Sequence, residues 1–85
     1  MTREAPRLLL VDDSRVTREM ERRILEDAGF RVEVAADGDE AMRRLAAESF
    51  DCLVTDIEMP GLDGFQLTEE LRRAERFARL PIVVV

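Results

Sequence analysis

Two short apolar runs in this 85-residue chain stop abruptly at acidic residues. Leu8–Val11 leads into Asp12 and Asp13, and Cys52–Thr55 leads into Asp56. Apolar runs of this length are typical of strands that are buried on both faces of a parallel sheet. Because ligands bind beyond the carboxyl ends of the strands in open α/β sheets, we expect these three carboxylates to converge at one edge of the sheet.

The rest of the chain alternates between strand and helix patterns after a polar lead-in at residues 1–6. Three helices are predicted: one from Arg15 to about Ala28, one after Asp37 and one after Asp63. Asp37 lies three residues before Glu40, and Asp63 three before Gln66, which is the spacing of a capping box. The predicted strands are Arg7–Val11, Arg31–Ala35, Cys52–Thr55 and Ile82–Val85. The order βαβαβαβ indicates a parallel α/β sheet with right-handed crossovers.

Apolar positions within the predicted helices indicate which residues form the core. The first helix has an apolar residue at every fourth position, and Gly29 follows as a left-handed stop. We expect Met20, Met42 and Phe65 to lie in the core, and Cys52 to be a small core residue rather than a reactive thiol. The apolar stripe of the first helix consists of Val16, Met20, Ile24 and Ala28, and Leu25 widens it.

Composition excludes several classes of function. The net charge of −6 argues against nucleic-acid binding through bulk electrostatics, and no apolar run approaches the length of a membrane span. The sequence has no histidine, so the chain provides no histidine base and no phosphohistidine donor. One cysteine permits no internal disulfide, which fits a cytoplasmic location.

The three expected carboxylates predict a site for a hard divalent cation. Carboxylates held close together repel one another unless a cation joins them, and Mg²⁺ prefers carboxylate, carbonyl and water oxygens. Asp12, Asp13 and Asp56 are therefore candidate Mg²⁺ ligands. Asp56 is also a candidate nucleophile, since carboxylates form aspartyl-phosphate intermediates.

Three motifs in correct order and spacing resemble the receiver domain of two-component response regulators. They are Leu9–Ser14, Asp37–Ala41 and Val54–Phe65, and the likeness covers the whole chain after its first six residues. The resemblance implies a flavodoxin-like doubly wound parallel sheet over residues 7–85, incomplete, with strand order 2-1-3-4. The start of the first motif and the loop after Asp56 also look like receivers attached to chemotaxis-type hybrid histidine kinases.

The resemblance implies a role for each site residue. Asp56 is expected to be the phosphoacceptor, and Asp12, Asp13, Asp56 and the backbone carbonyl of Glu58 are expected to bind Mg²⁺. The donor is expected to be a phosphohistidine on a separate histidine kinase or phosphotransfer domain. Such a domain is a signalling phosphoacceptor rather than an enzyme that acts on an external substrate.

The chain departs from the family pattern at its carboxyl end. Family members have five βα units, with a Ser or Thr switch residue after the fourth strand and a lysine at the end of the fifth. This sequence stops at Val85 and contains no lysine. Either it is a fragment of a longer protein, which we favour, or it is a naturally short receiver.

Two other functions stay open at this stage. One is a protein-interaction or assembly module that retains the acidic site without being phosphorylated. The other is an Asp-nucleophile phosphohydrolase. It ranks below the receiver and the assembly module, because such enzymes often carry Asp-x-Asp at the nucleophile, whereas Asp56 is followed by Ile57 and Glu58. Whichever of these functions applies, the open edge of the fourth strand and the uncovered face of the first helix predict self-association into a dimer or larger assembly.

Overall fold

The structure is a computed structural model that describes residues 5–57, 61 and 63–85. Its helices are α1 (Arg15–Asp27), α2 (Gly38–Ala47) and α3 (Gly64–Arg73), and a 3₁₀ turn at Glu75–Phe77 follows α3. Its strands are β1 (Arg7–Val11), β2 (Arg31–Ala35), β3 (Cys52–Thr55) and β4 (Ile82–Val84). The four strands are parallel and lie in the order β2-β1-β3-β4, which confirms the predicted topology.

The larger part of the core lies between the sheet and the pair of helices α2 and α3. Leu9 and Leu53 point from neighbouring strands to this face and are fully buried. Leu45 of α2 and Leu67 of α3 pack against them, and the partly buried Met42 joins the same cluster, as predicted. Alternate strand residues therefore bury one complete face of the sheet beneath two helices.

The opposite face has a smaller core beneath α1. Leu8, Leu10 and Val54 point to this side, and Leu25 of α1 and Phe30 of the following turn pack against them. Cys52 is half-buried in the same cluster, in agreement with its expected place in the core. Burial raises the pKa of the Cys52 thiol, so a smaller fraction of it is thiolate at neutral pH.

The prediction that Met20 lies in the core is wrong. Val16, Met20 and Ile24 are 72%, 61% and 65% exposed, and Ala28 is exposed as well. The helix turns the Leu25 edge of the predicted stripe towards the sheet, and Glu21 is half-buried. Of the exposed stripe residues, Ile24 borders an apolar groove over the sheet, whereas Val16 and Met20 lie among charged residues of α1 itself.

The prediction for Phe65 is also wrong. Phe65 is 59% exposed in the first turn of α3, whereas Gly64, Leu67 and Leu71 are buried. Two residues along a helix correspond to a rotation of about 200°. Phe65 therefore points away from the sheet when Leu67 points towards it.

Capping residues fix where the helices begin. Asp63 accepts a hydrogen bond from the Gln66 backbone (2.9 Å), and the Gln66 side chain accepts one from the Asp63 backbone (3.1 Å). Asp37 caps α2 through the Glu40 backbone (2.8 Å). The Glu40 side chain, however, accepts from the backbone of Ala36 rather than from that of Asp37. Both predicted N-caps are thus confirmed, but only α3 has the complete reciprocal pair.

The predicted helix stop at Gly29 is confirmed as well. Gly29 has a φ of 104°, a left-handed value that favours glycine. The Phe30 amide then donates to the carbonyl of Leu25 (3.1 Å), which turns the chain back over the last turn of α1.

Candidate functional site

The register of the sheet brings the acidic residues together. Val11 of β1 pairs with Thr55 of β3, so the next residues, Asp12 and Asp56, lie side by side at the carboxyl edge. The Asp56 amide donates to the Val11 carbonyl (3.0 Å), which continues the pairing one residue beyond the strands. The predicted convergence of two strand ends is therefore present in the structure.

Each of the three acids provides one carboxylate oxygen to a small cluster. One oxygen each from Asp12, Asp13 and Asp56 lies within 4.8 Å of the other two. Asp12 is only 3% exposed, Asp56 is half-buried and Asp13 is exposed. The cluster thus has a buried wall and an open side, which is what a site for a small, partly hydrated ion requires.

Local hydrogen bonds hold Asp12 in position. Its side chain accepts from the backbone amide of Ser14 (2.9 Å), and Ser14 in turn caps α1 by accepting from Thr17 (3.3 Å). The backbone carbonyl of Asp12 accepts from the Arg18 guanidinium (2.8 Å). One oxygen of the Asp12 carboxylate is therefore engaged within the chain, and the turn into α1 fixes where the other points.

The peptide directly after Asp56 is held by the chain end after β4 and by the start of α3. The Ile57 amide donates to the carbonyl of Val85 (3.1 Å), and the Gly64 amide donates to the carbonyl of Ile57 (3.1 Å). Gly64 lies directly against the Asp56 carbonyl, where a Cβ would overlap the backbone. The start of α3 therefore packs against the peptide that carries the central acid, and only glycine fits there.

A fourth carboxyl group, that of Glu21, belongs to the same surroundings and was not predicted from the sequence. Burial of this carboxyl, a hydrogen bond with Asp12 and the charges of Asp12 and Asp56 raise the pKa of Glu21 to about 7. A glutamate four residues before Leu25 lies on the same face of α1. That spacing was the available signal, but the apolar stripe led us to assign a different face to the sheet.

Glu58, the remaining predicted site residue, lies outside the described residues, as does Met59 of the same loop. The acids predicted to be simple caps behave accordingly: Asp37 and Asp63 cap helices. The structure thus brings together Asp12, Asp13 and Asp56 and adds Glu21 beside them.

Comparisons with known proteins agree with this arrangement. The response regulator receiver domain family matches residues 8–85. Among curated proteins, the response regulator MprA of Mycobacterium ulcerans is 44% identical over 79 residues, which cover 93% of this chain and 33% of that protein. The chain spans between 10% and 36% of the length of the curated relatives it matches.

Solved structures show the same fold. The signal receiver domain of a histidine kinase from Syntrophus aciditrophicus superposes with a TM-score of 0.92 at 31% identity, covering 95% of this chain and 61% of that one. The response regulator TrrA of Thermotoga maritima, solved in complex with Mg²⁺ and BeF, gives a TM-score of 0.80 at 32% identity over 84% of this chain and 62% of that one.

This chain belongs to the response regulator receiver domain family. Receiver domains are signalling phosphoacceptors of two-component systems rather than conventional enzymes, and they interact with histidine kinases or phosphotransfer proteins. They generally bind Mg²⁺ at an acidic pocket, and this chain has an aspartate cluster at the corresponding edge of its sheet. In the part of the chain that the structure describes, no helix is long and apolar enough to span a membrane.

Proposed function

We propose that this chain accepts a phosphoryl group on Asp56 from a phosphohistidine of a histidine kinase or phosphotransfer domain. The observation that carries the proposal is the cluster of three carboxylate oxygens at the carboxyl edge of the sheet. Asp12, Asp13 and Asp56 would bind Mg²⁺, together with the backbone carbonyl of Glu58, whose part rests on the family resemblance alone. The proposal also includes a cytoplasmic location and no binding of nucleic acid.

The chemistry of the donor set fits Mg²⁺. All the side-chain ligands are carboxylate oxygens, which suit a hard cation, and oxygens bound to one Mg²⁺ lie about 3–4 Å apart. The three oxygens lie within 4.8 Å of one another, so a small side-chain movement would close the set. When bound, the ion would offset negative charge on the incoming phosphoryl group. The solved TrrA complex with Mg²⁺ and BeF supports such a site in a relative.

The transfer step requires little of the protein beyond positioning. A carboxylate oxygen of Asp56 bonds to phosphorus while the P–N bond of the donor breaks, and the electron pair stays on the donor imidazole, which takes up a proton. Asp56 is suited to this role because its backbone is fixed by the Val11 hydrogen bond on one side and by Gly64 on the other. Its carboxylate needs no base to become nucleophilic.

Intact mass spectrometry after incubation with acetyl phosphate and Mg²⁺ tests this proposal. We expect one added phosphoryl group on the wild-type chain and none on Asp56→Asn or in the presence of EDTA. Asp39→Asn is the matched control, because Asp39 is an exposed acid on α2 that lies outside the cluster. Absence of an adduct on a chain with native circular dichroism would refute the proposal.

Metal binding has its own test. Asp13→Asn removes one ligand without disturbing the buried Asp12, and we expect the Mg²⁺ dissociation constant from calorimetry to rise at least about tenfold, since even groups behind metal ligands contribute about 10–100-fold. An unchanged constant would exclude Asp13 from the metal site.

A second candidate function is assembly without phosphorylation, and the exposed apolar residues favour it. Met20 and Ile24 on α1, Val83 on β4 and Val85 just after it are all more than half exposed, and Ile24, Val83 and Val85 line one apolar groove. Self-association through the fourth strand and the first-helix face would cover them. The two functions are compatible, since the acidic cluster and this apolar surface are formed by different side chains.

A further inference from the structure

A pocket lies at the amino edge of the sheet, at the opposite end of the strands from the acidic cluster. Its lining residues run from Leu45 to Pro81 and come from the end of α2, the start of β3 and the connection from α3 to β4. Its volume of about 430 Å³ lies within the range of roughly 300–1,000 Å³ that is usual for ligand sites. We call it the amino-edge pocket. Its apolar lining consists of Phe50, Phe77, Leu80 and Pro81.

Two arginines of this pocket have no carboxylate partner among the described residues. Arg76 donates to the backbone carbonyl of Ala46 (3.1 Å), and its guanidinium lies over the Phe77 ring, 5.1 Å from the centroid. Arg79 is exposed and makes no hydrogen bond or ion pair with the part of the chain that the structure describes. Because a guanidinium group carries five N–H donors, both side chains retain donors for a ligand.

The two acids that line the same pocket are already paired within the chain. Glu48 accepts from the guanidinium groups of Arg7 (2.7 Å) and Arg44 (3.1 Å), and the hydrogen bond from Arg7 is the main reason that the pKa of Glu48 is lowered. Asp51 accepts from the backbone amide of Arg7 (2.8 Å). The charge that is left without a partner at the pocket is therefore positive.

The segment that forms one wall of the pocket is basic, although the chain is acidic. Residues 72–79 contain four arginines and one glutamate, whereas the whole chain has a net charge of −6. Arg72 donates to the carbonyls of Phe77 (2.9 Å) and Ala78 (3.1 Å), which fixes the 3₁₀ turn. The bond from Arg76 to Ala46 joins this turn to α2. The two walls are thus held together without a ligand, and a preformed pocket binds at a lower cost in ordering.

We propose that the amino-edge pocket binds an acidic peptide segment of a partner protein, with an apolar side chain in the pocket and carboxylates at Arg76 and Arg79. Guanidinium groups bind carboxylates through paired, charge-assisted hydrogen bonds. The aromatic rings of Phe50 and Phe77 provide a surface on which an apolar side chain can pack. The pocket uses none of the residues of the acidic cluster, so this proposal does not depend on phosphorylation of Asp56.

A peptide fits this chemistry better than a nucleic acid does. Glu48 and Asp51 line the same pocket and the chain as a whole is acidic, so a continuous phosphate backbone would be repelled beyond the two arginines. A peptide can place its carboxylates beside the arginines and an apolar residue between them. Such a match of charge favours the acidic segment over other partners.

NMR titration of the isotope-labelled chain tests the proposal. The titrant is a pool of hexapeptides with Asp or Glu at the four outer positions and Leu or Phe at the two inner ones. We expect saturable shifts of the amides of Phe50, Phe77 and Leu80, with an apparent dissociation constant below about 1 mM. Absence of saturable shifts at these amides would overturn the proposal.

Two altered peptide pools and an oligonucleotide identify what the pocket recognises. A pool with Ala at the inner positions and a pool with Lys at the outer positions should each bind at least about tenfold more weakly, since each removes one half of the contact. Equal binding of either pool would refute the corresponding half. A short oligothymidylate that shifts the same amides at lower concentration than the acidic pool would show a nucleic-acid site instead and overturn the proposal.

Substitutions locate the contact. Arg79→Ala should raise the dissociation constant of the acidic pool about five- to tenfold, because it removes charge-assisted hydrogen bonds, and Arg79→Lys should recover part of the loss. Arg23→Ala is the matched control and should leave the constant unchanged, because Arg23 is also an exposed arginine without an ion pair in the described chain but lies on α1, across the sheet. Equal losses in Arg79→Ala and Arg23→Ala would refute a specific pocket. Phosphoryl labelling of Asp56 should be the same in Arg79→Ala and wild type, so a failed docking site and a failed phosphoacceptor give different results.

Discussion

At the scale of single residues, Glu21 makes the acidic edge sensitive to pH. Its pKa is raised to about 7 in the folded chain, against an ordinary value of 4.5, so between these values the folded state binds more protons than the unfolded state. Stability therefore falls as the pH rises through this window. Below this pH range the Glu21 carboxyl is neutral in both the folded and the unfolded chain. Above it, the folded chain must hold a further negative charge close to Asp12, which lowers its free energy of unfolding.

We predict that Glu21→Gln removes this loss of stability. In EDTA, the urea midpoint of the variant should match wild type near pH 4.5 and exceed it increasingly up to about pH 8. Glu69→Gln, which removes an exposed acid from α3, should follow the wild-type profile. If the stability profiles of Glu21→Gln and wild type run parallel between these pH values, the surroundings do not raise the pKa of Glu21.

Gly64 supports a second prediction at this scale. A Cβ at this position would overlap the carbonyl of Asp56 and crowd the Cα of Ile57, both of which are backbone atoms that cannot rotate away. Gly64→Ala should therefore destabilise the fold by about 1–3 kcal/mol, as overpacking does. It should also reduce phosphoryl labelling of Asp56 more than tenfold.

Thr68→Ala separates these two effects. It removes a hydroxyl that donates to the Gly64 carbonyl (2.8 Å), so it should lower stability while leaving the Asp56 peptide in place. Labelling reduced equally in both variants would mean that α3 stability, rather than the contact at Gly64, controls the site.

The site residues differ in how far the sequence alone could identify them. Asp12, Asp13 and Asp56 follow directly from where two apolar runs end, because parallel strands in register align their ends. Glu21 could not be identified in this way, since its role depends on the rotation of α1 about its axis. That rotation is set by tertiary packing, and the apolar stripe indicated a different one.

At the scale of elements, the start of α3 matters because it follows the loop after Asp56. Asp63→Ala removes the side-chain half of the capping pair with Gln66, and we expect a loss of about 1 kcal/mol in the free energy of unfolding. Asp63→Asn keeps an N-cap acceptor and should lose no more than a few tenths. Equal losses in urea titrations of the two variants would show that charge, rather than capping, matters here.

Helix starts were predictable because caps are local. Asp37 and Asp63 each act within three residues, so their spacing to Glu40 and Gln66 is readable in the sequence. The orientation of Met20 was not, because it depends on which neighbouring element is present, whereas the outward direction of Phe65 follows from its rotation of about 200° from Leu67 along the helix. The 3₁₀ turn at Glu75–Phe77 also escaped prediction, as short turns follow from how the chain packs between α3 and β4.

At the scale of the whole molecule, strand order and handedness were fully predictable. The alternation of strand and helix patterns leaves few topologies, and the right-handed crossover rule with the family resemblance selects one. The consequence of that topology was less evident. Two helices cover one face of the sheet and α1 alone, among the described helices, covers the other, so residues with core-like patterns lie on the surface.

The hydrogen bond between Ile57 and Val85 ties the site to the edge strand of the sheet. Strand β4 spans three residues and pairs with β3 on one side, so it is the strand expected to fray first. Each opening of its end releases the peptide that follows Asp56. The amide proton of Ile57 should therefore exchange with solvent at about the rate of Val85, and faster than that of Asp56, which donates to Val11 of β1. The Val11 hydrogen bond and Gly64 still hold Asp56 when the edge opens, so fraying loosens only the peptide on its far side, and a partner that clamps β4 would steady that peptide without contacting Asp56.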